Sequence, residues 1–176
     1  MNWLDQLRRR KEDRGLMASL RCSLVESKKH RAWPALNRLG IAVSDRIGAA
    51  AAGLFATHPE EVAYGNVGTT CKAIERSRGH GDGGTNDKES KLTPTERRFQ
   101  HLLAAESGEE LLDRVTRMVL MAKAQGIPVN YAQLESDIRR WTQFVQQERV
   151  REEWAAEFWT PGSETNTATD ISRGIS

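Results

Sequence analysis

Apolar residues recur along this chain three and four positions apart, and no stretch of strand length alternates with period two; the pattern predicts an all-α fold. The apolar stripes between breaks describe a compact helical bundle of about six to eight helices, arranged as one body or as two small helical lobes. Trp3, Leu4 and Leu7 open a short helix, and Leu16, Met17, Leu20 and Leu24 continue or restart its apolar face before "SKKHRAWP" interrupts it. Ser44 or Asp45 can cap a helix through "RIGAAAAGLFA", whose alanines permit close approach of a neighbour beside Leu54 and Phe55. A shorter helix follows near "VGTTCKAIERS".

The second half carries clearer start signals. Thr93, Pro94 and Glu96 form a capping box with proline at the first helical position, ahead of the stripe Phe99, Leu102 and Leu103. Ser107 with Glu110 makes a second box for a helix bearing Leu111, Leu112, Val115, Met118, Val119 and Ala122. Beyond Gly126, Pro128 and Asn130 the phase changes: Leu134, Ile138, Trp141 and Val145 lie on one stripe, Val150, Trp154 and Phe158 on another. A break is therefore expected between about Phe144 and Gln147. Trp141, Trp154 and Trp159 read as core or core-edge residues, with a base-stacking platform as the alternative, Trp33 before Pro34 as a loop anchor, and Trp3 as packing on the domain or on a partner.

Composition limits what such a bundle can be. A chain of 176 residues, 38% hydrophobic, suffices for one domain with a modest core. The domain is expected over residues 1–159, with a flexible Gly-rich loop at 79–90 and a disordered tail at 160–176. Net charge is only +2, but residues 1–40 hold 10 of the 26 Lys and Arg and 4 of the 24 Asp and Glu, so the N-terminal part is basic and the rest acidic. Cys22 and Cys71 have no metal spacing, which favours a reduced, cytoplasmic protein. No apolar run approaches the roughly 20 residues needed to span a bilayer.

The inventory for catalysis is poor: no phosphate loop, no HExxH, no CxxC and no serine in a nucleophile turn, so no catalytic residue, metal site or cofactor is expected. The carboxylates have plainer uses. Glu110 and Asp113 precede Arg114 and Arg117 by four residues, and Glu153 follows Arg149 by four, the spacing of surface ion pairs. The arginines are harder to explain. Arg97 and Arg98 stand in the first turn after Thr93, where the helix dipole opposes cations. Arg97 has no acid four residues away. Arg46, Arg97, Arg117 and Arg149 each lie away from the apolar stripe of their helix, and several such faces merging would form a groove that tracks phosphates without reading bases.

Three stretches carry a resemblance. "WLDQL" with "SLRCSL" near the start, "TERRFQHLLAA" in the middle and "VNYAQLESDIRRWTQFVQQERVREEWAAEFW" at the end together resemble the small subunit of type I-E CRISPR Cascade complexes, the CasB family. The likeness covers most of residues 2–159. It implies a helical, non-catalytic subunit present as paired copies beside the backbone and large subunits. Such a subunit helps assemble the complex and holds the displaced non-target DNA strand, keeping the R-loop between guide RNA and target DNA open. Transferred position by position, it implies nucleic-acid contacts for Arg97 and Arg98 in the ERRF-type box, Arg117 in the following helix, Arg149 and Arg151 before the final WAxxF, and Arg46 near the start of an earlier helix. Lys28, Lys29 and Arg31 join this set as basic by inspection. Two other readings stay open at this point, a free-standing helical nucleic-acid-binding regulator and a purely structural protein-interaction module.

Overall fold

Short polar side chains open most of the helices by accepting a backbone N–H of the first turn. Asn2, Asp13, Asp45, Thr93, Ser107 and Asn130 all do so. In the computed structural model, which describes residues 2–79 and 92–160, these caps begin six of nine α-helices. The helices are α1 (Trp3–Arg9), α2 (Arg14–Arg21), α3 (Trp33–Arg38), α4 (Arg46–Thr57), α5 (Val67–Gly79), α6 (Pro94–Leu103), α7 (Gly108–Gln125), α8 (Tyr131–Trp141) and α9 (Phe144–Phe158). Two 3₁₀ helices, Cys22–Leu24 and Glu26–Ala32, join α2 to α3. The described residues form no strand, only one isolated parallel bridge between Glu61 and Val129. The expected flexible loop and tail lie outside the described residues, apart from Gly79, which ends α5, and Thr160.

One continuous core runs through the bundle, from Leu4, Leu7 and Leu20 through Leu54 and Phe55 to Val115, Ile138, Trp141 and Trp154. The alanines of α4 do what their size allows: Ala51, Ala52 and Ala56 are buried where α4 packs against α2 and α8. Between α5 and α9 the approach is closer still, because a Cβ at Gly68 would sit 1.9 Å from the Trp154 carbonyl oxygen. Helix α7 ends at Gly126, whose φ of 67° is the left-handed cap that glycine adopts without strain.

Several expectations need correction in detail. The helix near "VGTTCKAIERS" is not shorter than its predecessor; with 13 residues against 12 it slightly exceeds α4. Ser107 accepts from the Glu110 amide, but the Glu110 carboxylate accepts from Glu106, one residue further out, so the second capping box is not reciprocal. Trp33 is not in a loop. It is the first residue of α3, with Pro34 in the first turn where a missing N–H is harmless.

The break before α9 falls at Thr142 and Gln143, two residues earlier than expected. Trp141 and Val150, both buried, are nine residues apart, which in a continuous helix puts them on opposite sides. Ending α8 directly after Trp141 resolves this. Val145 then leaves the core stripe: Phe144 and Val145 are 92% and 90% exposed at the start of α9.

Candidate nucleic-acid interface

The first turn of α6 is held from both sides. Thr93 Oγ1 accepts from the Glu96 amide at 3.1 Å, and Glu96 Oε2 accepts from the Thr93 amide at 2.7 Å. The second oxygen of Glu96 accepts from the Trp159 indole at 3.4 Å. Phe99, one turn on, stacks on Phe158 with ring centroids 4.5 Å apart. Glu96 is thus committed to the backbone and to Trp159, which stands 38% exposed at the core edge. Arg97 and Arg98 project from this fixed platform, both exposed, and neither has an ion-pair or hydrogen-bond partner among the described residues.

The other arginines differ in how firmly they are held. Arg117 pairs with Asp113 at 3.0 Å, with both side chains well exposed, an arrangement that contributes ~0–1 kcal/mol and exchanges readily for another anion. Arg149 reaches Glu153 at 3.3 Å, but that carboxylate already receives two bonds from Arg140, at 2.7 and 2.8 Å. The Arg140 hydrogen bonds hold Glu153 below the ordinary carboxylate range, against the opposing effect of burial. Arg149 is a second claimant on an occupied group, and its side chain is 75% exposed.

Arg151 has a different position. Its guanidinium lies 4.9 Å over the Trp141 ring, donates to the Ala105 carbonyl at 2.8 Å and pairs with Glu148 at 3.2 Å, so it ties α9 to the end of α6. Its Nε is buried without a partner. Of the sequence-derived arginines it is the one built into the packing.

The remaining candidates gather elsewhere. Lys29 pairs with Glu26, and Arg46 at the start of α4 pairs with Glu109 at the start of α7. Lys29, Arg46, Glu109 and Asp113 all line one open groove of about 800 Å³, floored by Leu24, Leu36 and Leu112. The fold therefore brings Lys29, Arg46 and, through its pair with Asp113, Arg117 around one concavity. Lys28 and Arg31 are exposed on the 3₁₀ helix beside it, without partners among the described residues. Two exposed apolar features have weak sequence signals: Trp33 in the groove wall and, at the start of α9, the bare Phe144–Val145 pair. Only the proline after Trp33 and the missing N-cap of α9 hint at them.

Among the described residues no three His, Cys, Asp or Glu side chains converge as a metal site, and no helix is long and apolar enough to cross a membrane. Cys71 is buried and its thiol is pushed up to about 12 by that burial. Fold and surface together define a small all-α protein whose polar chemistry is concentrated in outward-facing cations and ion pairs. By sequence the chain belongs to the family of the CRISPR-associated protein Cse2, whose model matches residues 6–159; this is the Cse2/CasB family of type I-E Cascade, the small subunit of the complex.

Solved structures agree on the fold. A CRISPR-associated protein of the Cse2 family from Thermus thermophilus superposes with a TM-score of 0.67 at 20% identity, over 90% of this chain and 94% of that one. CasB from M. ruber gives 0.58 at 20% identity, over 82% and 84%. CasB from Thermobifida fusca gives 0.61 at 15%, over 90% and 98%. No curated protein sequence matches the chain.

Proposed function

We infer that this chain is a non-catalytic, cytoplasmic subunit that helps assemble Cascade and stabilises the R-loop by sequence-independent contacts to the displaced non-target strand. The observation that carries this reading is the Arg97–Arg98 pair. Two exposed cations without acidic partners among the described residues stand beside a turn immobilised by a complete capping box and by Trp159, and the first of them, Arg97, lies where the helix dipole disfavours it. A phosphate chain would neutralise both. Arg117 and Arg149, whose carboxylate partners are exposed or already occupied, extend the same sequence-blind chemistry.

R-loop formation nearly balances one duplex against another, so a few backbone contacts suffice to tip it. The remaining partners are the backbone and large subunits, a second copy of the chain, and guide RNA and target DNA within the complex. A free-standing regulator finds no support in the surface. A purely structural role is favoured by one observation, the exposed Phe144–Val145 pair, which suits a protein neighbour and is compatible with assembly.

The test is R-loop lifetime and footprint of the non-target strand in the assembled complex, wild type against Arg97→Ala/Arg98→Ala, at two salt concentrations. Lifetime should shorten, the displaced strand should become more accessible, and the salt slope should fall by about 1.4 for two single-strand phosphates. Unchanged lifetime, footprint and slope in a mutant complex that assembles would assign the pair to a protein interface instead.

A further inference from the structure

The 3₁₀ helix Glu26–Ala32 sorts its side chains by threes, as a helix of three residues per turn must. Glu26, Lys29 and Ala32 share one face: Ala32 is buried, Lys29 is half-buried, and the exposed Glu26 pairs with Lys29 at the rim of the groove. Lys28 and Arg31 share a second face, both exposed and without partners among the described residues. His30 leads on to Trp33 on the third, where the two rings meet edge to face with centroids 6.3 Å apart and planes at 76°. An aromatic pair is therefore interleaved between free cations on one side and the groove on the other.

Core packing does not account for Trp33. Ala32, Ala35 and Leu36 anchor this segment, all nearly fully buried, whereas Trp33 keeps 43% of its surface open and lines the groove with Leu24, Leu36 and Val43. The groove's own acids do not repel an anion strongly, because Glu26, Glu109 and Asp113 are each held by a cation. Lys28 and Arg31, solvated on the helix that borders the groove, attract a polyanion and offer a neutral protein segment nothing.

We propose that this groove is a stacking site for one unpaired nucleobase of a single strand, with Trp33 supplying the aromatic face and Lys28 and Arg31 holding the flanking phosphates. It deepens the single-strand reading above and rests on it. The apolar wall of Leu24, Leu36 and Val43 shields the seated base from water. Every base has a π-face, so the site is sequence-tolerant.

The experiment measures binding of the full chain to two single strands of equal length and phosphate number, one of thymidines and one abasic, by anisotropy at low salt. Wild type should prefer the base-bearing strand by about fivefold or more, the scale of one base stacked on an aromatic ring. Trp33→Leu, which keeps apolar cover without a π-face, should abolish that preference and leave abasic affinity unchanged. Trp33→Phe should retain most of it. Lys28→Ala/Arg31→Ala should weaken both strands equally and lower the salt slope by about 1.4.

Equal binding of both strands by wild type, preference surviving in Trp33→Leu, or its complete loss in Trp33→Phe would each overturn the stacking site while leaving the R-loop reading intact. Failure of wild type to bind either strand would overturn the stacking site, whereas the R-loop reading is decided by lifetime and footprint in the assembled complex. Trp33→Leu that binds DNA normally but fails to assemble would make the groove a protein contact and overturn the proposal.

Discussion

Two stretches of this chain have the same local composition, an arginine pair followed by an aromatic residue: Arg97-Arg98-Phe99 on α6 and Arg139-Arg140-Trp141 on α8. In both the aromatic is 1% exposed and fixes the turn to the core. The arginines diverge completely. Arg139 bonds Asp45 with two nitrogens, at 2.7 and 3.2 Å, and Glu135 at 2.7 Å, while Arg140 grips Glu153 and touches Asp137. Hydrogen bonds to the Asp45 carboxylate raise Arg139 above the ordinary guanidinium value, outweighing the opposing effect of burial. The α8 pair also sits in the last turn, where the dipole favours cations, whereas Arg97 closes the first turn of α6, where it does not, and Arg98 follows it. A doublet surrounded by acids from α4, α8 and α9 is a structural clamp; one whose nearest acid is committed elsewhere is available to a ligand.

The largest test of this contrast removes the scaffold under the clamp. Trp154 is fully buried, stacks on Trp141 at 5.3 Å and donates its indole N–H to buried Asp137 at 2.8 Å. Trp154→Ala should lower stability by about 3–5 kcal/mol in denaturant titration. An unchanged melting temperature with lost DNA binding would make it a ligand platform instead.

Next in size, Arg140→Ala should cost about 1–2 kcal/mol, because it leaves Glu153 and buried Asp137 without the charged donor they share. Arg98→Ala should stay within about 0.5 kcal/mol. Equal effects at the two sites would erase the distinction between clamp and free pair.

Acid should act on the clamp and not on the Arg97–Arg98 pair, which has no carboxylate partner among the described residues. Glu153 lies below its ordinary 4.5, chiefly through the Arg140 hydrogen bonds. Burial raises Asp45, but hydrogen bonds from Arg139 and the Gly48 amide outweigh it and leave the group below its ordinary 3.8. A depressed folded value means that the stabilisation is complete above the ordinary value and lost as pH falls through the folded one. The thermal midpoint of wild type should therefore drop below about pH 4.5, and that of Arg139→Ala/Arg140→Ala, lower throughout, should drop less steeply. Parallel curves would contradict the clamp.

The smallest effect sharpens the other side. Arg97→Ala should stabilise the isolated protein by a few tenths of a kcal/mol, since it removes a cation from the positive end of α6. A clear loss of stability would mean that Arg97 has a structural partner after all.

The starts of α4, α6 and α7 were legible because a cap is a local transaction: Thr93, Glu96 and Pro94 act within one turn, and of the candidates Ser44 and Asp45 it is Asp45 that accepts from the Gly48 amide. The phase change after Trp141 was legible for the same reason, though its place was not. Val145 fits the stripe of Trp141 at helical spacing, and only the observed end of α8 exposes it. For the candidate interface, outward placement of Arg46, Arg97, Arg117 and Arg149 followed from periodicity. The tie of Arg151 to Trp141 and Ala105 did not, because both partners belong to other elements.

The amino-acid order alone, then, determined the helical class, the starts of α4, α6 and α7, most of the buried stripes and the family, all properties carried by residues within about one turn of each other or by motifs read along the chain. Only the tertiary structure decided which arginines are free. Charge pairing acts over a few ångströms in space, and Asp45 meets Arg139 across 94 positions of sequence, so no periodicity distinguishes the arginines of α8 from those of α6.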